Sequence, residues 1–117
     1  MDGPLILDAK NELLFFKTAA DLEGWVEAID VENGEYSDCW NSAGQLFCLR
    51  TERRPILGGW MGSRALVRIA ATGASRAADL RRALIRFLVG FGDRESAVTT
   101  LSMADLVARG AKRAGWR

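Results

Sequence analysis

The chain of 117 residues contains no histidine, and this absence excludes several kinds of chemistry at once. Histidine most often moves protons near neutral pH, activates serine and cysteine nucleophiles, and ligates zinc. Ser-His-Asp and Cys-His catalytic systems and all histidine-containing metal sites are therefore excluded. For an enzyme, only carboxylate sites for magnesium or for glycoside chemistry stay open.

Cysteines and long apolar runs are also scarce. The two cysteines, Cys39 and Cys48, form no CxxC motif, and in a cytoplasmic chain we expect both to be reduced thiols. No apolar run approaches the roughly 18 residues that a membrane-spanning helix needs, and the start of the chain lacks a secretory cleavage pattern. The sequence predicts a cytoplasmic protein without a membrane partner, built as one domain over residues 1–117.

Positive charge is missing from one stretch of the first half. Residues 21–41 carry seven carboxylates and no lysine or arginine. Residues 1–49 hold ten acids and two bases, whereas residues 50–117 hold fourteen bases and five acids, so the net charge of +1 hides two opposed halves. Such asymmetry concerns partners rather than fold. Either the halves neutralise each other within the domain, or each faces a partner of opposite charge.

Hydrophobic patterning predicts an α+β fold. Two strands flank a turn at residues 8–11, a helix follows over 19–29, and a hairpin turns at 41–44. A strand over 64–72 comes next, and two more helices, the first over 76–89, complete the chain. The predicted order is β-β-α-β-β-β-α-α, a mainly antiparallel sheet of about five strands packed by three helices.

The first helix is predicted to bury one side. Its apolar residues recur at spacings of three and four, the pattern of an amphipathic helix, and its acids fall on another side that faces solvent. The apolar residues are Leu22, Trp25, Val26 and Ile29.

The acidic stretch has two interpretations. In one, it is a solvated helix face followed by polar turn residues. In the other, it is a docking surface for a basic protein, where negative potential speeds encounter and aromatic side chains supply anchoring energy. Tyr36 and Trp40 are four residues apart, so in one strand their side chains point to the same face. Both are therefore candidates for the core as well as for anchors. The predicted partner-binding carboxylates are Glu23, Glu27, Asp30, Glu32, Glu35 and Asp38.

Two further segments share some features with known binding loops. "DVENGE" lacks the length and the oxygen ligands of a calcium loop, so no metal or cofactor is predicted. "GGWMG", residues 58–62, lacks the Lys-Ser/Thr pair and the helix of a phosphate-binding loop, and is predicted to be a flexible loop. Trp60 at its tip is predicted to contact a partner, with a homodimer contact as the alternative.

The arginines of the predicted helix over 76–89 offer an alternative function. Arg76, Arg82 and Arg86 form a basic face that either binds the phosphates of nucleic acid or is simply solvated. No recognised nucleic-acid motif accompanies them, so we do not expect nucleic acid to be the main partner. A carboxylate-based enzyme is a third alternative, for which the sequence supplies no catalytic residues and no substrate.

The opening stretch "LILDAKNELLFFKTAADLEGWVEAIDVENGEYSDCWNSAGQLFCL", residues 5–49, resembles small bacterial immunity proteins of polymorphic-toxin and contact-dependent growth-inhibition systems. The similar features are a strand, a turn and "LLFFK", a helix opening with Thr-Ala-Ala-Asp, then "EAIDVENGEY" and a hairpin turning at "NSAGQL". The resemblance implies a stoichiometric inhibitor that binds a cognate toxin domain, often a nuclease. It implies no shared catalytic residues, so the acidic surface is placed by electrostatics alone.

Overall fold

The structure of the protein is a computed structural model that describes residues 3–10 and 12–117. Asn11, which the predicted first turn includes, therefore lies outside the described residues. Within them, five strands form one antiparallel sheet in the order β2-β1-β3-β4-β5. Their bounds are β1 Leu5–Ala9, β2 Glu12–Phe16, β3 Cys39–Asn41, β4 Gln45–Pro55 and β5 Ser63–Ser75.

Five helices accompany the sheet in the described residues, and the predicted α+β class with its antiparallel sheet is confirmed. The structure adds two short helices to the three predicted. None of the helices in this part of the chain has the length and apolar content that crossing a membrane requires. The helices are α1 Ala19–Trp25, α2 Ala28–Glu32, α3 Ala77–Gly90, α4 Glu95–Val98 and α5 Met103–Ala114.

The predicted first helix is divided into α1 and α2. Gly24 costs about 1 kcal/mol relative to alanine inside a helix, and the chain leaves the helical conformation at Val26, which has φ −79° and ψ 131°. Val26 is buried, so its side chain packs into the core from this extended position. A helix starts again at Ala28, with Glu27 as its N-terminal cap residue.

This division corrects the predicted burial of the first helix. Leu22 and Val26 are buried as expected, but 44% of Trp25 and 59% of Ile29 are exposed. The expectation for Ile29 was wrong because it assumed one continuous helix. Once the chain is extended at Val26, Ile29 no longer shares a face with Leu22. Trp25 stays in α1 with Leu22, but it is the last residue of that helix, and its ring lies against Phe16 with the rest exposed.

Helices cover both faces of the sheet at one end. On one side, which we call the α1–α2 face, a buried cluster includes Leu22, Val26 and residues from all five strands. On the other, the α3–α5 face, Ile6, Phe15 and Trp40 pack against α3, α4 and α5. Strands β1 and β2 lie between these layers and are therefore buried on both sides, which explains their unbroken apolar runs LIL and LLFF.

Tyr36 and Trp40 do not share a side of the sheet. Tyr36 precedes β3 and packs against the cluster of the α1–α2 face. Trp40 lies inside β3 and is buried on the α3–α5 face. The sequence expectation of shared parity was wrong because the strand begins only at Cys39. Trp40 is therefore a core residue, and Tyr36 is left near the surface.

Strands β4 and β5 extend past the helices as a two-stranded arm. The molecule measures 58 × 27 × 21 Å. Most side chains of residues 50–68, which we call the distal arm, are exposed. The loop predicted over residues 58–62 lies within the tip of the arm, residues 56–62, because β4 runs through Pro55 and β5 begins at Ser63.

Candidate functional site

The candidate protein-binding site is built around Tyr36, the single tyrosine of the chain. Burial raises the pKa of its phenol, and the negative charges of Asp30, Glu27, Glu35 and Glu12 raise it further, in that order. Such charges act on a phenol only from nearby positions, so these four carboxylates lie on the same side of the molecule as Tyr36. We call the carboxylates on this side the acidic surface, and its members are Glu12, Glu27, Asp30, Glu32, Glu35 and Asp38.

A tight reversal after α2 brings these groups together. Gly34 has φ +69°, a conformation that glycine adopts without steric cost. Its N–H donates to the carbonyl of Val31 at 3.1 Å, and the N–H of Glu35 donates to the carbonyl of Asp30 at 3.0 Å. The Asn-Gly turn signal in the sequence is thus used to end a helix, and the reversal sets Glu35 and Tyr36 beside α2.

Two exposed apolar side chains border the acidic surface. Ile29 lies within α2 beside Asp30 and is 59% exposed. Trp25 ends α1, and its ring lies 5.8 Å from that of Phe16, while the guanidinium of Arg117 lies 5.6 Å from its centroid. Apolar groups surrounded by charge are typical of contact surfaces that lose water on binding.

A recess of about 280 Å³ opens beside Tyr36. Val31 and Leu49 supply part of its apolar wall, and Ser37 and Asp38 supply polar groups. Pockets of this kind are where an aromatic or arginine side chain of a partner becomes desolvated and contributes most to affinity. The acidic surface therefore offers both charge and a place for an anchoring side chain.

The acidic surface continues toward β1. Lys10 Nζ lies 3.3 Å from Glu35 Oε2, an exposed ion pair of a kind that contributes about 0–1 kcal/mol. Burial raises the pKa of the Asp8 carboxyl; a hydrogen bond with Ser37 lowers it, and the charge of Asp38 raises it. Lys10 offsets part of the negative charge at this border.

Glu23 has a different role from the other predicted carboxylates. Its Oε2 accepts a hydrogen bond from the N–H of Ile69 at 2.9 Å, and its Oε1 lies 3.9 Å from the guanidinium of Arg68. Ile69 belongs to β5, an edge strand whose outward N–H groups face no neighbouring strand. Glu23 covers part of that edge and is 22% exposed, so we leave it out of the acidic surface.

Trp60 lies at the tip of the arm and is 86% exposed. The structure thus places it outside the acidic surface, which is formed by Glu12 of β2 and by α2 with its flanking residues. The two predicted contact features, the acidic surface and Trp60, therefore belong to different parts of the molecule.

The α3 arginines of the alternative site already have neighbours. Arg82 pairs with Asp79 one turn earlier, and Arg76 donates to the carbonyl of the residue before it at 3.3 Å. Arg86 lines a cleft of about 380 Å³ that also contains the carboxylate of Asp8. This helix therefore offers less free positive charge than its sequence suggests.

Sequence reasoning missed three side chains of the candidate site. Glu12 lies in β2, far from the acidic stretch in sequence, and only the tertiary packing brings it near Tyr36. Trp25 and Ile29 were assigned to the core. The signal that separates them from the core is Gly24, which weakens the helix one residue before Trp25.

Neither a cluster of metal ligands in the described residues nor a match to a known protein adds information about this site. Within residues 3–10 and 12–117, no three acidic or thiol side chains come together as metal ligands would. Comparison of the chain with protein-family models, curated proteins and solved structures finds no match. The case for a function therefore depends on the contacts, burial and charge described above.

Replacing Asp30 by asparagine is expected to lower the pKa of the Tyr36 phenol, because Asp30 is the strongest of the charges that oppose its ionisation. Absorbance of the phenolate reports on this one residue, since the chain has no other tyrosine. The folded phenol has a pKa above 10.0, so the folded state keeps its proton where the unfolded state loses it, and stability falls as pH rises through that region. Asp30→Asn should weaken this fall. A titration midpoint equal to that of the wild type would contradict the clustering of charge at Tyr36.

Proposed function

We propose that the protein is an immunity protein that binds a basic toxin domain in a stoichiometric complex and blocks it through the acidic surface. The observation that carries the proposal is the placement of acidic side chains along α2 and the reversal that follows it, beside the exposed Ile29. Negative charge of this density attracts a basic partner and speeds association. Ile29, Trp25 and the recess beside Tyr36 provide the apolar contacts that hold the complex.

A toxin that acts on nucleic acid fits this surface best. Such a toxin needs a positively charged face to neutralise phosphates. The carboxylates of the acidic surface present negative charge to the same face, so binding would cover the groups that the toxin uses on its substrate. The resemblance of residues 5–49 to immunity proteins supports the same proposal. In this mechanism the chain inhibits by occupying a surface, and no group on it reacts.

The test needs the cognate toxin domain as the partner, which the proposal expects to be a basic domain encoded at the end of an adjacent reading frame. Glu27→Lys combined with Glu32→Lys is expected to weaken the complex at least about tenfold at low salt, mainly through slower association. Both side chains are exposed, at the two ends of α2. Surface plasmon resonance at two salt concentrations gives both rate constants, and the difference between variant and wild type should shrink at high salt because exposed charges are then screened.

A matched control makes the same change of charge elsewhere. Glu95→Lys with Asp105→Lys replaces two exposed acids in α4 and α5, on the opposite face of the sheet. Once thermal melting shows that it is folded, this control should bind within about twofold of the wild type. Equal weakening in both variants would show that the acidic surface is the wrong site. Failure of the wild type to bind the domain, or to protect cells that express it, would contradict the immunity function.

A further inference from the structure

The distal arm holds positive charge in an arrangement that its own fold disfavours. Arg50 lies directly opposite Arg68, and Arg54 lies directly opposite Arg64. Like charges in directly opposed cross-strand positions destabilise a sheet. Two such pairs in one hairpin indicate that the charge serves a partner rather than the fold.

All four arginines point to the same side of the arm. Phe47 and Leu49 of β4 pack into the cluster of the α1–α2 face. Because side chains alternate along a strand, the residues between and beyond them point the other way, to the α3–α5 face. Their partners on β5 follow the same alternation. The arginine pairs therefore project from the face opposite the acidic surface, and the guanidinium of Arg68 reaches round the edge strand to Glu23 of α1.

Little in the arm neutralises this charge. Between residues 45 and 75 there are five arginines against one glutamate, Glu52. Glu52 lies between the two pairs, 2.6 Å from Arg54 and 4.0 Å from Arg68, and Glu23 of α1 lies 3.9 Å from Arg68. Among the described residues, Arg50 and Arg64 form no ion pair within 4.0 Å. A net excess of guanidinium groups is left facing solvent.

The tip of the arm is apolar and exposed. Leu57 is 73% exposed, Met61 60% and Trp60 86%, and Ile56 beside them is also exposed. Exposed large apolar side chains in one place mark a contact surface. An isolated two-stranded hairpin is marginally stable in water, so an arm that projects beyond the helices gains most from a partner along its length.

We propose that this arm binds double-stranded DNA in the major groove, with the arginine pairs on phosphates and the apolar tip on the base edges. The two pairs are four residues apart along the strands, a separation of about 13 Å. The major groove of B-DNA is about 12 Å wide and admits a two-stranded ribbon. Guanidinium groups match phosphate oxygens in a fork geometry, and apolar side chains can contact base edges in that groove, such as the thymine methyl group.

The regular spacing of its phosphates makes DNA a better partner for the arm than an acidic protein surface. Phosphates form a regular array, and two arginine pairs at one groove width fit it without adjustment. Double-stranded RNA fits less well because its major groove is too narrow for a ribbon to enter. The proposal uses residues on the opposite face from the acidic surface, so either proposal can fail without affecting the other.

The test measures fluorescence anisotropy of a labelled, mixed-sequence DNA duplex of about two helical turns. We expect the wild type to bind with a dissociation constant on the order of micromolar at about 0.1 M salt, with a steep salt dependence. Arg54→Gln with Arg64→Gln should weaken binding by roughly tenfold to a hundredfold there and reduce the salt slope by about 1.8, since each phosphate contact contributes about 0.9. Trp60→Ala should weaken binding and leave the slope unchanged.

The matched control removes the same charge from α3. Arg82→Gln with Arg86→Gln is expected to bind within about twofold of the wild type, because Arg82 already pairs with Asp79. Circular dichroism and thermal melting establish that all variants are folded. Weaker binding in the α3 variant than in the arm variant would overturn the proposal. So would duplex affinity that is the same in the arm variant and the wild type, an outcome that assigns the arm to an acidic protein partner, or binding to duplex RNA as tight as to duplex DNA.

Discussion

Replacing Trp40 by alanine is expected to lower the free energy of unfolding by about 3–5 kcal/mol, the usual cost of removing a large aromatic side chain from a core. Trp40 is 1% exposed and packs against α3, α4 and α5 on the α3–α5 face of the sheet. Domains of this size are stable by only about 5–15 kcal/mol, so the variant should unfold at a much lower denaturant concentration. Equilibrium urea unfolding followed by circular dichroism measures the loss.

Two companion variants show whether burial is the cause. Trp40→Phe keeps an aromatic ring and removes a buried indole N–H that has no partner among the described residues, so it should cost much less than Trp40→Ala. Trp60→Ala removes the same side chain from the exposed arm tip and should leave the free energy of unfolding within about 0.5 kcal/mol of the wild type. Equal losses at Trp40 and Trp60 would contradict the assignment of Trp40 to the core.

Replacing Gly44 by alanine is expected to destabilise the protein by about 2–5 kcal/mol. Gly44 has φ +83°, which costs an ordinary residue about 1–2 kcal/mol. A Cβ at this position would also lie 2.4 Å from the Cα of Ala77, and such overpacking adds about 1–3 kcal/mol. The carbonyl of Gly44 accepts from the N–H of Arg76 at 2.8 Å, so the substitution separates the β3–β4 turn from the start of α3.

Gly34→Ala is the matched control for this prediction. Gly34 has φ +69° but open space where a Cβ would lie, so only the cost of the backbone conformation applies, about 1–2 kcal/mol. Thermal and urea unfolding of both variants separate conformational strain from close packing. A loss at Gly44 no greater than that at Gly34 would contradict the close contact between the turn and α3.

Patterns within short segments were enough to predict most elements of the fold. The apolar runs of β1 and β2, the turn before Gln45 and the stripe of α3 each depend on near neighbours in sequence, and all are present. The unbroken run Leu13–Phe16 also carries the information that β2 is covered on both sides. What local patterns could not show is which helix covers which face, because that depends on contacts between distant segments.

The candidate site was predicted in part, and its errors have physical causes. Charge composition alone located Glu27, Asp30, Glu32, Glu35 and Asp38. In the structure, Glu23 accepts a hydrogen bond from the N–H of Ile69, 46 residues later in the chain. No local sequence pattern predicts a contact between residues so far apart. The exposure of Ile29 follows from the extended conformation at Val26, which separates α2 from α1. Trp25, the last residue of α1, lies against Phe16 and is 44% exposed.

The arm shows the same limit more clearly. Its arginines are visible in the sequence, but their meaning depends on the register of β4 against β5. A shift of one residue would send every side chain of a strand to the opposite face and would remove the pairing of Arg50 with Arg68 and of Arg54 with Arg64. Only the observed register shows that positive charges face each other.

The most direct test of the proposed function is hydrogen–deuterium exchange of the wild-type chain, alone and bound to the basic toxin domain that the proposal expects an adjacent gene to encode. Binding through the acidic surface predicts slower exchange in α2 and the turn that follows, residues 28–36, because a bound partner suppresses local opening there. Residues of α3, α4 and α5 on the opposite face should exchange as they do in the free chain. A stable complex with protection confined to those three helices, and none in residues 28–36, would contradict the account.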